Sequence, residues 1–195
     1  MSTATMSRFF ATLALVTFAA TAGVILLAVV RRFRPQAASG ALLDDLAPWA
    51  LWLGWVVALV TMLGSLYYSL VAGFEPCDLC WYQRICVYPF SVLLLVAALR
   101  RDRRFWLYGL PLAAIGTVIA VYHTQLQAFP KQASFCSTFN PCTSRYVWEF
   151  GFVSLPLMDL AALLFIITMM LLARSAEPAD EWEAGVDEED LLEKV

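Results

Sequence analysis

The sequence predicts an all-α polytopic membrane protein: five transmembrane helices, the last four forming a bundle and the first an addition to it. Three observations carry that expectation. Hydrophobic residues make up 61% of the 195-residue chain and charged residues only 15%, with a mean hydropathy of +0.71. Several apolar runs reach the roughly 20 residues a helix needs to cross a bilayer core. Charge is segregated along the chain. Nine of the sixteen acidic residues lie within positions 177–193, whereas up to Arg174 there are twelve basic residues against seven acidic ones. In such a chain the core is set by helices packing in lipid rather than by burial from water.

The first apolar run covers residues 9–30 and is followed at once by Arg31, Arg32 and Arg34. A secretory signal carries its positive charge before a shorter apolar segment, so this run reads as a span whose C-terminal end is cytoplasmic. Residues 35–47, with Pro35, Gly40 and the Asp44–Asp45 pair, read as a short polar connection. The second span is expected over 49–73, with Trp49, Trp52 and Trp55 near one end and Tyr67 and Tyr68 near the other, as interfacial belts. The third covers 80–99, with a kink at Pro89, and closes on four arginines between positions 100 and 104. The fourth covers 105–127 and the fifth 152–173.

With five spans, the arginines at 31–34, 100–104 and 174 fall on one side, which the positive-inside rule makes cytoplasmic. The loops at 74–79 and 128–151 fall on the other side, where Lys131 and Arg145 are the basic residues. These basic clusters report topology and call for no nucleic-acid partner. The acidic tail, residues 175–195, would be cytoplasmic and disordered. Three segments follow: 1–47, the extra helix and a cytoplasmic connection; 48–174, the four-helix domain; and 175–195, the tail.

The same topology puts Cys77, Cys80, Cys136 and Cys142 together on the extracytoplasmic face. Cys77 and Cys80 are spaced C-x-x-C at the start of a helix, where unpaired N–H groups and the helix dipole favour thiolate over thiol. Arg84 lies one helical turn beyond Cys80 on the same face, and a guanidinium at the bilayer boundary calls for an anionic partner, such as a thiolate or a quinone head. Cys136 and Cys142 enclose Ser-Thr-Phe-Asn-Pro, a turn-rich stretch that can close a small exposed disulfide loop open to thiol exchange. Two blander readings compete: structural disulfides, or a zinc site built from the four cysteines, for which C-x5-C is wide. Cys86, within the third span, reads as packing. His123, the single histidine, lies near the outer end of the fourth span and is a candidate donor to a quinone oxygen. Glu149 reads as a solvated loop acid, and Asp159, deeper in the last span, has no assigned role.

Pro76-Cys-Asp-Leu-Cys-Trp-Tyr-Gln-Arg84 followed by Tyr88-Pro89, together with Tyr122-His-Thr-Gln-Leu-Gln127 and Gly151-Phe-Val-Ser-Leu-Pro156, resembles the disulfide bond formation protein B (DsbB) family, especially its Gram-positive BdbC-like branch. The resemblance covers roughly residues 49–173. It implies a four-helix, multi-pass enzyme of the cell membrane, a protein-disulfide:quinone oxidoreductase. Such an enzyme reoxidises an extracytoplasmic DsbA-like thioredoxin-fold partner and passes the electrons to menaquinone or ubiquinone, and so to the respiratory chain. By position, Cys80 would be the quinone-proximal cysteine and Cys77 its disulfide partner. Cys136 would be attacked by the reduced partner protein, and Cys142 would relay to Cys77. Arg84 and His123 would support quinone binding. Two departures stand out: the span at 9–30 lies outside the four-helix pattern, and Gln83 stands where some members have an acid. The rival readings are a vitamin K epoxide reductase-like enzyme, in which the C-x-x-C follows the loop cysteines, an outward carrier of reductant, and a non-catalytic assembly factor braced by disulfides.

Overall fold

A computed structural model describes residues 3–34, 38–130 and 141–175. Cys136, the loop residues up to 140 and the tail beyond Ser175 lie outside the described residues. The rest is helical: α1 (Thr3–Phe33), α2 (Ser39–Leu46), α3 (Ala50–Leu70), α4 (Asp78–Val87), α5 (Phe90–Arg100), α6 (Trp106–Ala128) and α7 (Leu155–Ser175). No strand occurs among the described residues, only an isolated bridge between Glu149 and Val153. Five helical stretches are long and apolar enough to cross a membrane: Thr3–Phe33, Ser39–Leu70, Asp78–Arg100, Arg103–Ala128 and Leu155–Ser175. The chain is thus an all-α, multi-pass membrane protein.

The connection after the first span is more ordered than its polar composition suggests. Residues 39–46 form α2, which runs through a 3-10 turn (Ala47–Trp49) into α3. Its pattern explains this: Leu43 is buried in the core while Asp44 faces outward and accepts from Arg31 Nη1 at 2.8 Å, tying α2 back to α1. The third span breaks where Pro89 was expected to kink it. Pro89 has no N–H for the Ile85 carbonyl, so α4 ends at Val87 and α5 begins at Phe90. The break is closed by Ser91, whose N–H and Oγ both donate to the Tyr88 carbonyl (3.0 and 2.7 Å), and by Trp55 Nε1, which donates to the Ser91 carbonyl (2.9 Å).

The last helix, α7, is the centre of the bundle: 56% of its most apolar window is buried, against 17% for α1, and it packs on α1, α3 and α6. Without a hydrophobic driving force in lipid, helices associate through small residues that let backbones approach. Ala50, Ala58, Ala113, Ala120 and Ala161 are accordingly fully buried along these seams. At Gly116 a Cβ would lie 2.8 Å from Cys86 Cβ, so α4 and α6 meet there at a distance only glycine permits. Phe90, Leu94, Leu163, Ile166, Met169 and Met170 fill the arginine-rich half of the bundle with a closed apolar core. The cysteine-bearing half is different, being polar and partly hollow.

Candidate functional site

The turn after α3 brings Cys77 to the N-cap of α4 in an extended conformation (φ −74°, ψ 173°), with its Sγ accepting from the Cys80 amide at 3.3 Å. A sulfur in this position receives the helix's unpaired N–H groups, which favours its anion. Cys77 and Cys80 are free thiols with sulfurs 2.7 Å apart, a short step from the roughly 2.05 Å of a disulfide bond. The Cys80 thiol donating to Cys77 Sγ, together with His123 and the Cys80 amide, holds the Cys77 thiol well below its usual range, at about 5, against the opposing effect of burial. Cys77 is therefore the thiolate of the pair.

His123 projects from α6, is buried, and stands at the junction of three groups. Its Nε2 lies 3.1 Å from the Cys142 carbonyl oxygen and 3.7 Å from Cys77 Sγ, and its Nδ1 lies 2.7 Å from Gln83 Oε1. The backbone oxygen can only accept, so Nε2 carries a proton. Cys77 Sγ, Cys80 Sγ and His123 Nε2 lie within 4.8 Å of one another, the spacing of a ligand set, with Nε2 turned to the Cys142 carbonyl.

Cys142 is disulfide-bonded and buried, and it packs with Cys77, Cys80, Leu79 and Leu126. The segment that carries it is pinned to the end of α6. Arg145 donates from Nε (2.8 Å) and Nη2 to the Gln127 carbonyl, placing a cation on the negative end of the helix. The guanidinium also lies over Trp148, 4.0 Å from the ring centre, and Gln127 Nε2 donates to the Ser144 carbonyl at 3.0 Å. Of the four cysteines singled out in the sequence, three are brought together here. The fourth, Cys136, is outside the described residues. Cys86 faces Gly116 away from this cluster, as a packing residue would.

Beside the dithiol opens a cavity of about 210 Å³, lined by residues of α1, α3, α4, α6 and α7. Cys80, Arg84, His123 and Asp159 all reach it, and most of the remaining wall is apolar. A cavity of roughly 150 Å³ already accommodates a benzene ring, so one substituted aromatic ring fits. Arg84 is held from α3: its Nε donates to Ser65 Oγ at 3.1 Å and its Nη2 to the Ser65 carbonyl at 3.2 Å, while Tyr88 Oη donates to the same Oγ at 3.0 Å. The Arg84 guanidinium also lies over Trp81, 5.3 Å from the ring centre, and no carboxylate pairs with it among the described residues. The arrangement suits an acceptor with an apolar ring and anionic or carbonyl oxygens, which is the chemistry of a quinone.

Three features escaped the sequence reading. The first is Asp159, which accepts from Gln83 Nε2 at 2.8 Å; the ionisable residue in an apolar span was visible, its partner on another helix was not. The second is α1, whose Phe10 packs over Gly64 and, with Leu13 and Thr17, walls the cavity. The third is Glu149, which is half-buried rather than solvated and faces Arg8 of α1 at 3.6 Å.

Comparison with known proteins places these features in a family. The family model described as "Disulfide bond formation protein DsbB" matches residues 47–174. Disulfide bond formation protein C of Bacillus subtilis (strain 168) is 42% identical over 126 residues, covering 64% of this chain and 91% of that protein. A probable disulfide formation protein of Coxiella burnetii (strain RSA 493 / Nine Mile phase I) is 41% identical over 128 residues, 64% of this chain and 87% of its own. Probable disulfide formation protein C 1 of Bacillus anthracis is 42% identical over 121 residues, 60% of this chain and 86% of its own. No solved structure gives a significant match.

Proposed function

The chain belongs to the DsbB family and to its work of disulfide bond formation, and from that premise we propose that it reoxidises a DsbA-like thioredoxin-fold thiol oxidase and delivers the electrons to a membrane quinone, menaquinone or ubiquinone. The arginine clusters support an orientation with the cysteine-bearing end extracytoplasmic and the acidic tail cytoplasmic. Residues 48–174 form the catalytic bundle, with residues 1–47 and the tail added to it. The observation that carries this reading is the position of the Cys77–Cys80 pair, with a buried, disulfide-bonded Cys142 on one side and the Arg84-walled cavity on the other.

The reduced partner's thiolate attacks Cys136, opening Cys136–Cys142 and freeing the Cys142 thiolate. Cys142 then attacks Cys77 in an oxidised Cys77–Cys80 pair, with Cys80 as leaving group. The partner's second thiolate breaks its mixed disulfide with Cys136 and the partner leaves oxidised. The freed Cys136 thiolate then attacks Cys142 of the Cys77–Cys142 bond, which restores the loop disulfide and leaves Cys77 and Cys80 reduced. His123 Nε2–H stabilises the departing Cys77 thiolate while holding the Cys142 carbonyl. A bound quinone supplies a two-electron, two-proton acceptor. Cys80 lines the cavity and would be the cysteine next to that acceptor, and Arg84 would counter negative charge on its oxygens.

The test is turnover of purified protein with a reduced thioredoxin-fold oxidase, read as loss of the oxidised-quinone band. Catalytic loss that disappears in Cys80→Ser and in Cys136→Ser is the expected result. Normal turnover in either variant would overturn the scheme.

A further inference from the structure

Asp159 is the one acid within the apolar spans that the scheme above leaves without a task. It lines the cavity, accepts from Gln83 Nε2 at 2.8 Å, and makes no ion pair among the described residues. Gln83 is itself buried, and its other end, Oε1, meets His123 Nδ1 at 2.7 Å. The chain of contacts therefore runs from the cavity wall on α7, through α4, to the imidazole on α6 that touches Cys77 Sγ. The other ionisable side chains around the cavity are Tyr68, Glu75, Cys80, Arg84, Tyr88 and Tyr146.

The polarity of this chain is dictated by what each atom can donate. An ionised Asp159 only accepts, so it fixes the Gln83 NH2 toward itself and the amide oxygen toward His123. His123 must then donate from Nδ1, and it already donates from Nε2 to the Cys142 carbonyl, so the ring is an imidazolium. A protonated Asp159 donates instead. The amide then turns over, its NH2 faces a bare Nδ1, and the ring is neutral with Nε2–H unchanged. The two arrangements satisfy every hydrogen bond and hold the same number of protons. They differ in where one proton sits.

We infer that Asp159, Gln83 and His123 form a two-position proton store, with one proton held either on His123 beside Cys77 or on Asp159 at the cavity wall. This rests on the thiol-to-quinone reading and adds residues to it. With the proton on His123, the imidazolium stabilises the Cys77 thiolate produced by exchange with Cys142. When Cys77 and Cys80 close to a disulfide, two electrons pass to the quinone and two protons must reach its oxygens. The Cys80 thiol supplies one of those protons and Asp159 the other, and the store is refilled at His123 by a proton released when the next partner dithiol is oxidised. One proton leaves His123 Nδ1 for each that arrives on Asp159 Oδ2, so charge is balanced within the triad. Asp159 and His123 carry the proton; Gln83 is a positioning residue whose amide sets the polarity between them.

The test uses full-length wild type, Asp159→Asn and Asp159→Glu, all with unfolding temperatures checked against wild type. The first readout needs no quinone: alkylation of Cys77 by iodoacetamide in the reduced, quinone-free protein at pH about 5, where its thiolate is half formed. Asparagine should slow it about fivefold, because His123 loses its second proton, and glutamate should restore it to within twofold. The second is the infrared difference between the dithiol and disulfide states, which should contain a protonated-carboxyl band that Asp159→Asn lacks. The third is quinone reduction, which should fall at least tenfold in Asp159→Asn and recover in formate or acetate, small acids that can carry the missing proton. Wild-type alkylation in Asp159→Asn with no carboxyl band in wild type would overturn the store, and Cys80-dependent quinone reduction would still stand. Loss of that Cys80 dependence with the carboxyl band intact would instead overturn the thiol-to-quinone reading and leave the store in place.

Discussion

The two halves of the bundle share α3, α6 and α7 but are built on opposite principles. Toward the arginine-rich end, α3, α5, α6 and α7 close on one another through Phe90, Leu94, Phe105, Met169 and Met170, with glycine and alanine at the seams. Toward the cysteine-bearing end α3, α6 and α7, now with α1 and α4, keep a hollow lined by Arg84, Gln83, His123 and Asp159. Polar and ionisable groups in a span are costly. Here each is held by a named partner on another helix: Arg84 by Ser65, and Asp159 by Gln83. The closed half supplies the rigidity that fixes those contacts across helices, and the open half uses it for chemistry. The proline break at Pro89 lies at the boundary, where α4, which carries the site, gives way to α5, which packs the core.

Substitutions that separate the halves make this contrast testable. The largest effect is expected at Cys80. Cys80→Ser should lower quinone reduction at least a thousandfold while leaving the unfolding temperature within a degree or two of wild type, since it removes the dithiol and leaves the packing untouched. Next comes Arg84→Met, which keeps the length of the side chain and deletes the charge. A hydrogen bond to a charged group is worth about 1.5–3 kcal/mol, so the KM for quinone should rise about tenfold or more with a smaller change in kcat.

The third prediction concerns pH. With the Cys77 thiol held at about 5, alkylation of the reduced protein should be fast at neutral pH and fall only as pH drops through that value, because the thiolate exists above it. His123→Ala removes a donor to the anion, so the midpoint should move upward and reactivity at neutral pH should fall. An unchanged midpoint would mean that the Cys80 contact and the helix start alone stabilise Cys77. In the closed half the signature reverses. Gly116→Leu forces a side chain against Cys86 and Leu163 and should cost about 1–3 kcal/mol, as overpacking does, while the folded fraction keeps its kcat. The smallest effect is expected on α1. Phe10→Ala thins one wall of the cavity and should raise the KM for quinone twofold to threefold without touching thiol exchange.

The closed half was largely legible in the sequence, because span length, flanking arginines and Pro89 are local signals. The C-x-x-C, Arg84 one turn beyond it and the lone His123 were legible for the same reason. The partnerships were not. Gln83 and Asp159 are 76 positions apart, and nothing local to either says that their helices meet. Asp159 could be noticed as an acid in an apolar run, but its role depends on an amide from α4. Residues 39–46 were hidden by composition, since Ser, Gly and two Asp outweighed the leucine that faces the core. The wall formed by α1 was hidden because its apolar face looks the same toward lipid as toward a neighbour.

The central claim is that the loop disulfide and the C-x-x-C exchange directly, through Cys142 and Cys77. The doubly substituted Cys80→Ser/Cys136→Ser protein leaves those two cysteines without their usual partners. After mild oxidation and proteolysis under non-reducing conditions, its peptides should contain a Cys77–Cys142 disulfide in high yield. Recovery of both residues as free thiols, in protein that remains folded, would contradict the account.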